Sequence, residues 1–458
     1  MDFNTALLHQ NFGSDRCSGS TLAPIYQVSA FSQDSAEKLE AVFNNKAPGF
    51  AYTRIANPTN DSFERRIASL EKGIGAVACS SGMAAVTISL LNILHAGDEV
   101  IASAGLFGGT IDLFHDLEAF GITTRFVTEV TAESVREQLN EKTKAVFTEL
   151  IGNPKLNVVD LKAVADAAHE GGVPFIVDST TATPYLVHPF DFGADIVVHS
   201  SSKYINGSGS AISGLIVDSG NFPWNYTRYK GLEEYRRFGK FAYIAKLRNG
   251  IWRNVGCCVA PATSFLNSLG LETLGLRMDR LCSNALQLSE FLQGFDGVSV
   301  NYPALKSSPY YDSGLRFCSS SGLRFCSSIG IGIGIGTSIG ISIGISLGFG
   351  FCSGSGLRFC SSSGIGIGIS LGFGFCSGIG IGIGIGTSIG IGISISLGFG
   401  FCSGFGFCLG LAFAFCLGFS LSISSGFGLS SVLAFTFCLG FSLSISSGFG
   451  LSSVLAFA

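Results

Sequence analysis

At 458 residues and a formal net charge of −4, the chain is long enough for two or three domains and has the wrong balance for a nucleic-acid binder. Its start, Met1-Asp2-Phe3-Asn4, has no basic segment leading into an apolar run, so no secretory signal is expected. Cys17, Cys79, Cys257, Cys258 and Cys282 precede residue 313 without metal-ligand spacing, which predicts a reducing, cytoplasmic setting and no metal.

The composition breaks near Asp312. Residues 313–458 contain no Asp, Glu, Lys, His, Pro, Trp or Tyr, and their arginines are Arg316, Arg324 and Arg358. Nine of the 14 cysteines fall in this tail. Ser313-Gly-Leu-Arg-Phe-Cys-Ser-Ser recurs from Ser321 and Ser355, and residues 415–435 repeat as 437–457. Gly at about every second position disfavours a membrane helix, while Ile on one face suits an aggregation-prone strand. The tail is therefore expected to be a product of tandem repetition without an evolved fold, and function is sought in residues 1–312.

Residues 1–55 read as an N-terminal arm, extended over 1–30 with a turn near Pro24 and then a short helix over 35–45, capped by Asp34 or Ser35. Within the arm, Tyr52 and Arg54 alternate with Thr53, so an extended backbone puts both on one face, where Arg suits a phosphate. An ordinary solvated pair has the same pattern. After Asn57-Pro58, Thr59 or Asn60 should cap a helix over 61–71. Ala76–Cys79 reads as a strand, and Ser80-Ser81-Gly82-Met83 then opens a helix to Leu94. A strand, a small turn and a helix N-terminus make an anion site as well as an ordinary connection.

From Asp98 the patterns alternate. Strands are expected at 99–102, 124–127, 145–150, 173–178 and 196–199, with helices at 109–120, 132–139 and 160–170. Such alternation predicts an α/β fold with a mostly parallel sheet, whose ligands bind beyond the carboxyl ends of the strands. Residues 56–255 form this domain, and 256–312 begin a second with helices at 262–269 and 276–292 and a strand at 298–300. The aromatic and basic stretch 218–250 is interrupted by Glu233 and Glu234, which predicts a loop near an entrance or interface.

Asp195-Ile-Val-Val-His-Ser-Ser-Ser-Lys203-Tyr204 puts an amine just past a buried strand and three hydroxyls. A deprotonated lysine there is a nucleophile for carbonyl cofactors, although most lysines at strand ends are only solvated charges. Asp178 ends the strand before it, and Asn153, Ser200 and the Ser81-Gly82 turn share the same edge.

On Tyr52-Thr-Arg54, Asn57-Pro58-Thr59, Ser80-Ser-Gly82-Met83, Gly152-Asn153-Pro154, Asp178-Ser-Thr and Val198-His-Ser200-Ser-Ser-Lys203-Tyr204, the chain resembles the Cys/Met-metabolism family of pyridoxal-phosphate enzymes. Phe241-Ala-Tyr-Ile-Ala-Lys-Leu-Arg248, Gly270-Leu-Glu272-Thr-Leu and the insertion between Gly220 and Lys240 resemble its O-acetylhomoserine sulfhydrylase branch. The resemblance implies an aspartate-aminotransferase-like fold and the cofactor pyridoxal 5′-phosphate. It implies that Lys203 bonds the cofactor aldehyde, Asp178 pairs with the ring nitrogen and Asn153 meets the ring hydroxyl. Ser81, Gly82, Met83, Ser200 and Ser202 would hold the phosphate, with Tyr52 and Arg54 reaching in from a second subunit of a homotetramer. The implied reaction joins an amino-acid ester and sulfide to give homocysteine. A cystathionine synthase, a lyase or a truncated non-catalytic relative remains an alternative.

Four positions depart from that family. Phe107 stands where it commonly has Tyr, and can stack on the ring but not donate a proton. Ser202 replaces a common Thr, and Ser208 and Leu281 stand where relatives often have His. The late domain that supplies the substrate-carboxylate arginine has no counterpart.

Overall fold

The computed structural model describes residues 2–9, 19–296 and 298–318, and beyond them strand segments between 330 and 410. Phe3–His9 is a helix (α1) inside the arm expected to be extended, and it buries Ala6 and Leu7. Helix α2 (Ala36–Phe43) starts at Ser35, whose hydroxyl accepts from the Lys38 amide at 3.2 Å. Helix α3 (Pro58–Leu70) starts three residues before expectation. Asn57 is its cap, accepting from the Thr59 amide at 2.9 Å. Pro58 then takes the first helical position, where a missing N–H costs nothing.

Strand and helix alternate through β1 (Gly75–Cys79), α4 (Gly82–Leu91), β2 (Glu99–Ser103), α5 (Gly108–Asp116), β3 (Thr123–Val127), α6 (Ala132–Gln138) and β4 (Thr143–Glu149). The series continues through α7 (Leu161–Glu170), β5 (Phe175–Asp178), the short α8 (Thr183–Leu186), β6 (Ile196–His199) and β7 (Gly214–Asp218). The sheet order is β1-β7-β6-β5-β4-β2-β3. All neighbours are parallel except β7, which runs antiparallel to both β1 and β6. Strand β7 follows β6 without a helix between them, so an alternating pattern does not announce it.

Helices cover both faces, which is why β2, β6 and β7 are buried at every position. Successive residues enter opposite cores. Val177, Val197 and Val217 pack on one side, and Ile176, Val198 and Ile216 on the other.

Of residues 218–250, 219–229 form a loop as expected, and 230–249 are helical. A 3₁₀ helix spans Lys230–Phe241 and breaks at Gly239 (φ 55°), and α9 (Ala242–Asn249) and α10 (Ile251–Val255) follow. Part of the aromatic set of 218–250 is core: Tyr229 and Tyr243 are buried, and half-buried Trp224 stacks on Tyr243 at 5.4 Å, while Phe241 is exposed. Arg228 donates to the carbonyls of Gly171 and Thr143, so its charge tethers the segment to the sheet domain. Then come α11 (Pro261–Leu271), α12 (Leu274–Gln293), β8 (Val298–Asn301), α13 (Tyr311–Cys318) and β9 (Gly330–Ile333), with β9 antiparallel to β8.

The chain forms two units, Met1–Ile333 and Gly334–Ala458. Among the described residues of the second, seven strands pair in parallel: β10 (Ile343–Ser346), β11 (Phe359–Ser370), β12 (Gly374–Ile383), β13 (Gly386–Ile389), β14 (Ser394–Leu397), β15 (Gly400–Ser403) and β16 (Cys408–Gly410). The expectation of a tail without a fold, including the 22-residue repeat, otherwise lies outside the described residues.

Asn57 is 1% exposed, and it also donates to the Tyr26 carbonyl at 2.9 Å, tying the arm to α3. Asn57→Ala removes a cap and a buried bond together and should lower stability by about 2 kcal/mol. Denaturant unfolding measures this; an unchanged midpoint would remove Asn57 as the anchor of the arm.

Candidate active site

In a parallel sheet the carboxyl ends of the strands point the same way, and the turns after them meet. Here the turns after β1, β2, β4, β5 and β6 converge, and Ser213-Gly214 joins them because β7 runs the other way. The turn after β1 is extended at Ser81 (φ −160°), whose hydroxyl accepts from the Ala84 amide at 3.0 Å. That cap leaves the first amides of α4, those of Gly82 and Met83, aimed out of the helix end. The chain is packed too closely here for side chains. A Cβ on Gly82 would lie 2.6 Å from the Ser200 Cβ, and one on Gly214 would lie 2.1 Å from the Ser81 carbonyl oxygen.

Thr180 joins the aspartate to the lysine loop. Its amide donates to Asp178 Oδ1 at 2.8 Å, and its hydroxyl accepts from the Ser200 amide at 2.7 Å. The Ser202 hydroxyl donates to the Ser213 carbonyl at 3.0 Å and accepts from the Ser213 amide at 2.8 Å. Ser213 Oγ lies 2.7 Å from Ser201 Oγ and accepts from Asn267 at 2.7 Å, so helix α11 braces the same loop. Half-buried Lys203 follows, with its amide donating to the Ser200 carbonyl at 3.2 Å and its carbonyl accepting from the Gly207 amide at 2.8 Å.

Burial raises the pKa of Asp178, against hydrogen bonds from Thr180 and the nearby His199, which lower it. A carboxylate so placed gains from a cationic partner. On the next strand, Asp178 faces Glu149 in register. Glu149 Oε1 accepts from the Phe107 amide at 2.7 Å, and Oε2 from the Asn153 amide at 2.9 Å. Burial first, and the Asp178 charge second, push the Glu149 pKa up to about 8. The Phe107 ring, at the N-cap of α5, packs over Gly109, where a Cβ would meet it at 2.8 Å.

The structure thus gathers Ser81, Gly82, Met83, Phe107, Asn153, Asp178, Ser200, Ser202 and Lys203 at one edge. Tyr52 and Arg54 do form a pair, with the guanidinium 5.1 Å from the ring centre. Arg54 donates to the Arg253 carbonyl at 2.6 Å, and neither residue hydrogen-bonds to the edge. Sequence reasoning missed Glu149, Thr180 and Ser213. Glu149 lies inside an apparent apolar strand, and Ser213 gives no signal because its partner is 11 residues away. Thr180 stands within the Asp178-Ser-Thr motif. A cavity of about 310 Å³ lies elsewhere, at the amino ends of the strands, between Asp195, Phe222 and Arg228. There His169 is engaged by Asp195 at 2.8 Å, away from the edge where the turns meet.

An amine, a half-buried carboxylate and a helix N-terminus at one carboxyl edge suit an aromatic aldehyde with a cationic ring nitrogen and a phosphate. The Gly82–Ser200 approach clears the helix end for the phosphate, and the strained ionisation of Asp178 is relieved by the ring nitrogen. The residues fit pyridoxal 5′-phosphate, and the fold and edge define an α/β pyridoxal-phosphate enzyme.

The chain belongs to the Cys/Met metabolism PLP-dependent enzyme family, whose model matches residues 4–331. It is 39% identical over 333 residues to O-acetyl-L-homoserine sulfhydrylase of Leptospira meyeri, an alignment that covers 68% of this chain and 75% of that protein. Homocysteine/cysteine synthase of Saccharomyces cerevisiae is 38% identical over 335 residues, covering 69% and 76%. A crystal structure of a putative O-acetylhomoserine (thiol)-lyase from Campylobacter jejuni superposes with a TM-score of 0.65 at 31% identity, covering 71% of this chain and 83% of that one. That crystal structure contains N′-pyridoxyl-lysine-5′-monophosphate. Among the described residues no helix is long and apolar enough to cross a membrane.

Gly214→Ala forces a Cβ against backbone and should cost about 1–3 kcal/mol. Gly108→Ala, whose added methyl would meet nothing within 4 Å, should be close to neutral. Equal effects in thermal unfolding would contradict the close packing of the turn on β7.

Proposed function

We propose that the chain forms L-homocysteine and acetate from O-acetyl-L-homoserine and sulfide by γ-replacement, with pyridoxal 5′-phosphate as cofactor. The observation that carries this reading is the placement of Lys203, Asp178 and the α4 N-terminus at one edge, in a chain whose relatives are sulfhydrylases. When bound, the cofactor supplies an electron sink for the carbanion left after proton removal. Lys203 bonds the cofactor aldehyde at rest, and its freed amine takes the proton from the substrate Cα and returns it later in the cycle. Acetate leaves from Cγ, and sulfide becomes bonded there.

Asp178 holds the ring nitrogen protonated through an ion pair. The amides of Gly82 and Met83, with the Ser81 and Ser200 side chains, hold the phosphate, and Ser202 joins them by turning its hydroxyl proton from the Ser213 carbonyl. Asn153 meets the ring hydroxyl, and Phe107 covers the ring and keeps water off it without taking part in proton transfer. Tyr52 and Arg54 complete the phosphate site of a second subunit in a homo-oligomer. In support, Tyr52 is exposed, and Arg54 bonds Arg253 of its own chain rather than its own edge. The cytoplasm is the proposed setting, in keeping with free thiols at Cys79, Cys257 and Cys258.

The test is homocysteine formation by the purified full chain. Sulfide and O-acetylhomoserine should give homocysteine, and Lys203→Ala should lower the turnover by at least about a thousandfold. Faster formation of cystathionine from cysteine would overturn the choice of sulfide. A cofactor-loaded protein that makes neither product would mark a non-catalytic relative.

A further inference from the structure

Glu149 is the carboxylate that the proposed chemistry leaves unused. It ends β4, between β5 and β2, and it is 7% exposed. Each of its oxygens takes one backbone amide, from Phe107 on the segment after β2 and from Asn153 on the segment after β4. Those segments carry the two side chains assigned to the cofactor ring. Of the charged groups among the described residues, Asp178, its register partner on β5, is the one that acts on it. His199 acts one step further, on Asp178.

We propose that Glu149 is a positioning residue, a single carboxylate that fixes the Phe107 and Asn153 segments relative to each other and so shapes the ring site. The inference rests on the cofactor reading given above. Its geometry favours an ionised acid. A carboxylate accepts strongly at both oxygens, whereas a carboxylic acid accepts only weakly at its hydroxyl oxygen. The pKa of Glu149 is raised to about 8, by burial and then by Asp178. Protonation therefore stabilises the empty fold at lower pH, and that contribution is lost as pH rises through about 8. A cationic ring nitrogen against Asp178 cancels the second cause. Cofactor binding then favours the ionised form of Glu149, strengthens the two amide bonds already in place and releases part of a proton near pH 8.

Glu149→Gln keeps the shape but puts an NH₂ where an acceptor is needed. One hydrogen bond to a charged group is lost, so pyridoxal phosphate should bind the full-length apoprotein about tenfold more weakly at pH 8.5. The gap should close toward pH 6.5, where the wild-type acid is itself protonated. The variant should unfold no earlier than wild type in the absence of cofactor, because it replaces a costly buried charge by a neutral group.

Cofactor affinity is read from the visible absorption of the bound form at both pH values. A pH-dependent gap with an undiminished apoprotein supports the positioning role. Equal affinities at pH 8.5, or a loss of affinity equal at both pH values and matched by lower apoprotein stability, would overturn it. Should the variant not fold, calorimetry of wild type in two buffers of different ionisation enthalpy decides, and no proton release near pH 8 sinks the inference. Wild-type absorption that persists in Lys203→Ala would instead refute the underlying cofactor reading, whatever Glu149 does.

Discussion

The site depends on backbone packed against backbone where the turn after β1 meets the start of β7. Gly214 has no room for a side chain beneath the Ser81 carbonyl, and Gly82 has none beside Ser200. Strand β7 is antiparallel, so it alone brings its beginning to an edge built from strand ends. That reversal lets Ser213 grip Ser202 from both sides and lets Asn267 brace Ser213. The lysine loop is thus fixed by bonds that cross three elements, while the end of α4 stays open toward whatever occupies the edge. Preorganisation of this kind spares a cofactor site the ordering cost of its loops.

Charge follows from the same geometry. Parallel β4 and β5 end together, which sets Glu149 beside Asp178 in a place with little water. Two acids so placed resist joint ionisation, and each is relieved by a different partner. Backbone amides satisfy Glu149, and Thr180 and His199 favour the charged form of Asp178. The edge is therefore tuned before any cofactor arrives.

Much of this is legible in sequence, for physical reasons. Buried parallel strands are continuous apolar runs, so β2, β5 and β6 stand out, and Asp178 and Lys203 mark the ends of two neighbours. Capping chemistry offers Ser35 (or Asp34) for α2 and Asp160 for the start of α7, and Ser35 and Asp160 each have a local amide to accept from, whereas α3 is capped by Asn57 and not by Thr59 or Asn60. What fails is non-local or context-dependent. Helix α3 begins early because Pro58 serves as a first helical residue rather than as a stop. Residues 230–250 read as a loop because buried Tyr229 and Tyr243, with half-buried Trp224 packed on them, carry polar tips and lie among charges. Strand β7 and Ser213 need the antiparallel return, and Glu149 needs two loops distant in sequence. In the second unit, β11 and β12 align Ile with Ile and Gly with Gly, as uncharged period-two text allows. The family match ends at residue 331, so the chemistry rests on the first unit.

The most direct measurement is the site of covalent cofactor attachment. Purified full-length protein loaded with pyridoxal phosphate would be reduced with borohydride, digested and mapped by mass spectrometry. The expected result is one phosphopyridoxyl group on the peptide bearing Lys203, absent from Lys203→Ala. A label on another lysine, or none in folded and loaded protein, would contradict the assignment of this edge as the cofactor site.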